Sequence, residues 1–324
     1  MFSKLALSLI LASLLTTMVA SNSNSNFGKN MLPMQTANAV SNITPITNPT
    51  VDCEQFDAGT ATFDCELNVK RDIDIPTQTP PGTSNLYDVI STVTATNDCD
   101  EFGDGDLLVT CTINPADIVN IFVGPVVQTN SPTTVGSNEI DIVTDDTLAN
   151  TCTESGPGDN LADCKIDWLN SIDSITQTNT ATGNDLTNIG LVLDNTLDTT
   201  QGVDLANDCD ESDAGDNLVQ CINNLSNLIG PIAQTNNVAG DIPASSHVND
   251  IIALQLAIGE NDCDETGNGN NQASCANHLE STNNIDSITQ VNAADADSAD
   301  QLNNATVGQG LDLVNDCDES DDGV

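Results

Sequence analysis

Apolar and polar residues alternate along much of this chain in short runs that end in clusters of Asp, Asn and Gly. Ile252, Leu254, Leu256 and Ile258 form one such run, Val203 and Leu205 another, Leu311 and Leu313 a third. A period of two predicts strands, and the supply of Thr, Val and Ile agrees with that reading. The stretches between these runs are ambiguous. Leu161, Cys164, Trp168, Ile172 and Ile175, like Leu218, Cys221, Leu225, Leu228 and Ile232, follow the three-to-four spacing of an amphipathic helix. Strand is preferred there, with a short helix as the alternative.

The alternation recurs because the chain is a tandem repeat. Cysteines stand at 53 and 65, 99 and 111, 152 and 164, 209 and 221, 263 and 275, and then at 317 alone, so that each pair is Cys-x11-Cys. A glycine follows the first cysteine of each motif by six residues, at Gly59, Gly105, Gly158, Gly215, Gly269 and Gly323. The flanks repeat as Asn-Asp-Cys-Asp-Glu around Cys99, Cys209, Cys263 and Cys317. These motifs divide the chain into a signal peptide (1–21), a flexible Ser/Asn/Thr-rich leader (22–50), repeats at 51–96, 97–149, 150–206, 207–260 and 261–314, and an incomplete sixth at 315–324. The expected architecture is all-β: an elongated tandem-repeat array, solenoid-like or beaded, of disulfide-pinned units that bury surface mainly against their neighbours.

A second signature, Gln-x-Asn, follows the second cysteine of four units, at Gln128 and Asn130, Gln177 and Asn179, Gln234 and Asn236, and Gln290 and Asn292. The first unit keeps only Gln78. Pairs of aliphatics precede it, among them Ile172 with Ile175 and Ile229 with Ile232. Amides repeated in register can hydrogen-bond as a ladder along stacked strands. The phrases Ile232 to Val238 and Ile288 to Ala294 resemble the Gln and Asn phrases of curlin-type amyloid subunits, over about seven residues per unit. That resemblance implies stacked strand-turn-strand rungs and an adhesive surface fibre. The period here is longer, and paired cysteines are foreign to the curlin repeat.

The N-terminus, with Lys4 before an apolar run from Leu5 to Leu15, has the form of a secretory signal, and the run is too short to span a bilayer. Its removal leaves 4 basic against 49 acidic residues, a net charge of −45. Such a field repels nucleic acid and anionic lipid and attracts cations. Aromatic residues make up only 2% of the chain while 38% is apolar, which favours small local cores over one large core or a disordered acidic tail.

In an exported chain, cysteines at one constant spacing predict the disulfides Cys53–Cys65, Cys99–Cys111, Cys152–Cys164, Cys209–Cys221 and Cys263–Cys275, closed hairpin-fashion about the central glycine. Cys317 is left unpaired. The absence of Cys-x2-Cys pairs and of histidine partners argues against a thiolate metal site. Oxygen ligands surround the same turns: Asp98, Asp100, Asp104 and Asp106; Asp208, Asp210, Asp213 and Asp216; Asp262 and Asp264, with Glu101 and Glu211 among them. They make calcium the one candidate cofactor, against the alternative of a solvated acidic turn. His247 and His278 fall at non-equivalent positions and are expected to be exposed, while Trp168 is expected to fill a local core. No catalytic constellation is present, so no enzyme is expected. The expected role is structural, at the cell surface or in extracellular matrix, as a filament, adhesion or biofilm component. Its partners would be further copies or surface components, with a calcium- or cation-binding adhesin as the alternative.

Overall fold

In the computed structural model the described residues belong to one compact unit, Ala37–Val324. They are 39–321 without 44–45, 49, 59–60, 70–71, 74–77, 79–83, 116–120, 124–125, 131–134, 183–190, 213–214, 243–244, 268–271, 280–283 and 297–298. The signal peptide, most of the leader, Asp213, Gly59, Gly269 and Gly323 lie outside them.

The chain is all-β, and its sheets are parallel. Five long strands, Ser84–Asp104, Val135–Ser155, Leu191–Ser212, Ser245–Gly267 and Ala299–Asp321, lie side by side in that order. Short strands at Ala39–Ile43, Ile46–Thr47 and Thr50–Ala58 pair with the outer side of the first. Register is conserved from strand to strand: Cys53 pairs with Cys99, Cys99 with Cys152, Cys152 with Cys209, Cys209 with Cys263, and Cys263 with Cys317. A second sheet holds Ala61–Val69, Leu107–Pro115, Leu161–Ile172, Leu218–Ile229 and Gln272–Leu279, again with cysteine beside cysteine. A third holds Val126–Asn130, Ile175–Thr182, Ile232–Ile242 and Ile288–Ala296. The sequence repeat is therefore the strand register.

The preferred strand reading of the middle stretches holds, and the helical alternative and the hairpin are set aside. Among the described residues there is no helix. The stretches with helical spacing are the strands Leu161–Ile172 and Leu218–Ile229, whose inward set is Cys221, Asn223, Leu225, Asn227 and Ile229. Buried asparagines occupy alternate positions, and a count of apolar residues alone turns a period of two into a spurious three-to-four. The turn between paired cysteines is not a hairpin, because its two flanking strands enter different sheets. Each strand takes its backbone partners from the neighbouring units, and the two sheets face one another through side chains. Ala39–Ile43 and Ile46–Thr47, within the stretch read as leader, are strands that pair with Ser84–Asp104. Each long strand starts fifteen or more residues before its cysteine and so runs across the boundary drawn at the cysteine motif.

The turns explain the central glycine. Gly105 has φ of 136°, a region that side chains disfavour, and a Cβ on Gly158 or Gly215 would collide with the carbonyl of Gly105 or Gly158 in the neighbouring turn. Asp106 and Asp159 link successive turns, accepting from the backbone N–H of Asp159 at 3.3 Å and of Asp216 at 3.2 Å.

Between the sheets lie separate apolar clusters. One gathers Tyr87, Ile140, Leu197 and Ile251 from the long strands against Ile172, Ile175, Ile229 and Ile232. Another gathers Val93, Leu148, Val203 and Leu205 against Ile113, Ile166, Trp168 and Leu225. Trp168 fills this core, and its indole N–H donates to Asp146 at 3.1 Å. The run Ile252, Leu254, Leu256 and Ile258 takes the outward phase of its strand, and Ile251, Ala253, Gln255 and Ala257 face in.

Amides fill the interior between these clusters. Gln128 donates to Gln78 at 3.3 Å, Gln177 to Gln128 at 3.2 Å, Gln234 to Gln177 at 2.8 Å and Gln290 to Gln234 at 2.9 Å. The second N–H of each reaches backbone carbonyls, as Gln177 does to Asn138 and Thr196, so burial leaves no amide wanting a partner there. Replacing Gln177 by Ala strands the Gln128 carbonyl and the Gln234 N–H and opens a void. Urea unfolding is expected to show a loss of about 2–4 kcal/mol for Gln177→Ala. Thr178→Ala, on the outward phase, is expected to cost under about 1 kcal/mol.

Candidate functional site

Because register repeats, the side chains of interest form columns that run from unit to unit. The amide column is double. Asn85, Asn138, Asn195, Asn249 and Asn303 form a chain on the long strands, with donor distances of 2.9–3.0 Å. The Gln-x-Asn asparagines face it: Asn85 donates to Asn130, Asn138 to Asn179, Asn195 to Asn236 and Asn249 to Asn292, at 2.8–3.1 Å. A further set sits beside the cysteines, where Asn207 donates to Asn223 and to Asn261, and Asn261 to Asn315. The Gln-x-Asn phrase revealed only the half of this network that lies on the return strands, those of the second and third sheets. The long-strand half lacked a distinctive neighbour, although Asn97, Asn207, Asn261 and Asn315 stand at one place in the cysteine motif.

The thiols form two facing columns. Cys53–Cys65, Cys99–Cys111, Cys152–Cys164, Cys209–Cys221 and Cys263–Cys275 are bridged, with Cα atoms 6.1–6.5 Å apart, within the range of ordinary disulfides. Cys275 is also in bonding contact with Cys317. Cys317 is thus not isolated as its spacing suggested: parallel pairing seats it beside Cys263, opposite Cys275. One sulfur holds one disulfide at a time, and eleven cysteines are an odd number, so at least one thiol is left over when every bridge lies within the chain.

The acidic residues do not share one loop. Asp98 and Asp100, Asp208 and Asp210, and Asp262 and Asp264 flank an inward cysteine and take the outward phase of the long-strand sheet. There they stack in register, Asp208 beside Asp262 and Asp210 beside Asp264. Asp104, Asp106 and Asp216 are exposed at the turns. Close packing of like charges has the expected effect: burial, then Asp208, Asp264 and Asp262, push the Asp210 carboxyl up to about 6. Asp98 rises through burial, then Asp100, Asp52 and Glu54. Two further outward carboxyls, Asp141 and Asp194, are each pushed up to about 6, burial being the larger cause in both.

The glutamate of the same motif goes the other way. Glu101, Glu154, Glu211 and Glu265 are buried and adjacent in register, Glu101 beside Glu154, Glu154 beside Glu211, and Glu211 beside Glu265. Neighbouring strands are about 4.8 Å apart, so this is a column of carboxyls at close range inside the protein. Asn160 donates to Glu211 at 3.4 Å and Asn217 to Glu265 at 3.5 Å. Burial, opposed by the bonds from Asn160 and with Glu154 and reinforced by Glu265, pushes Glu211 up to about 7. Parity would have shown this: residues two places from an inward cysteine face inward, and those one place away face out.

Parity also overturns the expectation for His247, which is buried, not exposed, because it takes the inward phase of Ser245–Gly267 beside Leu193. Burial lowers its pKa. His278 lies in the strand Gln272–Leu279, its side chain outside the described residues. No helix among the described residues is long and apolar enough to cross a membrane. No known protein family, curated protein or solved structure matches this chain.

Every resolved carboxyl shift here is upward, which fixes the sign of the carboxyl contribution to the pH dependence; the single buried His247, lowered by burial, opposes it. A carboxyl whose pKa is higher folded than unfolded holds its proton more tightly when folded. Its stabilisation is complete below the unfolded value and is lost as pH rises through the folded one. For Glu211 that window runs from 4.5 to about 7, and for Asp141, Asp194 and Asp210 from 3.8 to about 6. The melting temperature is therefore expected to rise as pH falls from about 8 to about 4. Glu211→Gln should be more stable than the parent at the alkaline end, by on the order of 2 kcal/mol, and should flatten the upper part of the curve. Thermal melts across this range check both points, and stability that falls on acidification contradicts them.

Proposed function

We propose that this chain is an exported structural protein of the cell surface or extracellular matrix, built as a solenoid-like stack of repeats that associates with further copies. The observation that carries the reading is the register. The columns of Gln, Asn, Cys and Glu recur from unit to unit, that of Asp does so except where Thr151 and Thr153 take its place, and that regularity suits building over catalysis. The long strand Ala299–Asp321 pairs on one side only among the described residues and exposes Leu302, Val307, Leu311 and Leu313 with Asn303 and Asn315. An edge of this length that repeats the interior pattern is a template for another strand of the same pattern. Charge opposes that step: each added unit brings more carboxylates against those already stacked, so protonation or divalent cations favour it.

A second reading, a cation-binding adhesin, is supported by the outward Asp208, Asp210, Asp262 and Asp264. These place four carboxylates on two adjacent strands, as hard cations require.

Light scattering and electron microscopy from about pH 8 to about pH 4, with and without calcium, test the first reading. Fibres or oligomers are expected towards acid, and Gln234→Ala with Gln290→Ala should lower their yield. A monomer under all these conditions rejects assembly. For the second reading, calcium should raise the melting temperature even at about 1 M sodium chloride, where screening is effective within about 3 Å. An equal effect of sodium chloride alone rejects a specific site.

A further inference from the structure

The sulfurs of the two cysteine columns interleave. Each return-strand cysteine sits between the cysteine of its own unit and that of the next. Its sulfur lies close to the carbonyl of the residue just before the next long-strand cysteine: Cys111 is 3.6 Å from Thr151, Cys164 3.7 Å from Asp208, Cys221 3.3 Å from Asp262 and Cys275 3.3 Å from Asp316. The sulfurs of Cys152, Cys164 and Cys209 all lie within 4.8 Å of one another, as do those of Cys209, Cys221 and Cys263, and those of Cys263, Cys275 and Cys317. In the last trio Cys275 is in bonding contact with both neighbours. Within the first two trios all five cysteines are buried, whereas Cys275 is half-buried and Cys317 exposed.

We propose that this column is an internal thiol–disulfide exchange site with two disulfide registers, through which a single thiol migrates along the protein. In the first register each bridge closes its own turn and Cys317 is the thiol. In the second the bridges join consecutive units, Cys275 to Cys317, Cys221 to Cys263 and Cys164 to Cys209, and the thiol has moved to an upstream long-strand cysteine. The chemistry is a chain of identical displacements. The Cys317 thiolate attacks the Cys275 sulfur, a Cys275–Cys317 bond forms, the Cys263–Cys275 bond breaks, and its electron pair leaves on Cys263. Cys263 then attacks Cys221 and releases Cys209, which attacks Cys164 and releases Cys152. Each step makes one disulfide and breaks one, the proton lost by the attacking thiol returns to the leaving thiolate, and no oxidant or reductant is consumed.

The geometry specifies which thiols take part. Exchange needs a thiol, a disulfide and access between them. Parallel register supplies the access from Cys152 to Cys317, about one strand spacing per step, and burial of the interior cysteines keeps external thiols out. Only long-strand cysteines can carry the migrating thiol, because each return-strand cysteine is bridged in both registers. The second register has a mechanical consequence as well: it staples neighbouring units covalently, where the first only closes turns. None of this depends on association between copies.

The test is to hold the folded, oxidised protein at mildly alkaline pH, quench it in acid, then unfold it and alkylate it with a maleimide while still acidic. Non-reducing peptide mapping then locates the alkyl group and the bridges. The expected result is loss of label from Cys317 with incubation and its gain at Cys263 and Cys209, together with Cys275–Cys317 and Cys221–Cys263 bridges. In Cys317→Ser, which has an even number of cysteines and no starting thiol, no label and only within-unit bridges are expected. Label that stays on Cys317 with all five within-unit bridges intact, however long the incubation, overturns the proposal. So does label on return-strand cysteines such as Cys221, or a Cys221–Cys263 bridge in Cys317→Ser, since both would come from unfolding or reduction.

Discussion

Parallel pairing without a register shift places each side chain about one strand spacing, 4.8 Å, from its own equivalents in the neighbouring units. The rest of the structure follows from which side chains tolerate such neighbours. A primary amide does so best, because it carries donor and acceptor on one group, so that each copy donates to the next and accepts from the last. The chain from Gln78 to Gln290 and that from Asn85 to Asn303 are the direct result. Thiols tolerate it by bonding across to the facing sheet. Aliphatics tolerate it without condition, and they fill what remains. Carboxylates do not, and Glu211, buried between Glu154 and Glu265, is pushed up to about 7 first by burial and then by Glu265.

Much of this was legible in the sequence, and the rest was hidden for identifiable reasons. The constant spacing of cysteine pairs and of Gln-x-Asn disclosed the repeat, because strand register converts spatial identity into sequence identity. Helix and strand could not be separated over Leu161–Ile172 and Leu218–Ile229 while Asn170, Asn223 and Asn227 counted as surface residues, although they are buried. Burial of a polar side chain depends on a partner from another unit, and a local reading of one segment does not contain that partner. The acidic turn was misread for a related reason. Asp98, Asp100 and Glu101 are near in sequence but lie on opposite faces of one strand, which is clear once Cys99 is known to face inward. His247 follows the same parity.

Disulfides and amides divide the work of holding a thin interior together. The clusters of aliphatics are small and separated by polar layers, so the area they remove from water stabilises each unit only modestly. A bridge over a twelve-residue separation restricts the unfolded chain locally, contributing about 3 kcal/mol in the loop-entropy account, but does not by itself specify which unit lies beside which. Amide columns supply that specification. A slip of one residue would replace each inward Gln or Asn by an outward neighbour such as Thr129, Thr178, Thr235 or Val291, and would strand the donors of the column together.

The acidity of the chain then takes on a definite physical role. In the proposed association, amides and aliphatics in register would favour further copies of the same pattern, and the long edge Ala299–Asp321 offers its backbone to them. Carboxylates stacked at the same spacing supply the opposing term, because each added strand adds charge beside charge, as the raised Asp141, between Asp88 and Asp198, shows within a single chain. Attraction is short-ranged and nearly independent of pH, whereas repulsion is switched off by protons and weakened by cations. Under the association proposed above, a sequence that repeats both in the same register would place the balance between separate chains and stacked ones under the control of the surrounding solution, with the carboxyls pushed up to about 6 or 7 setting where that balance turns.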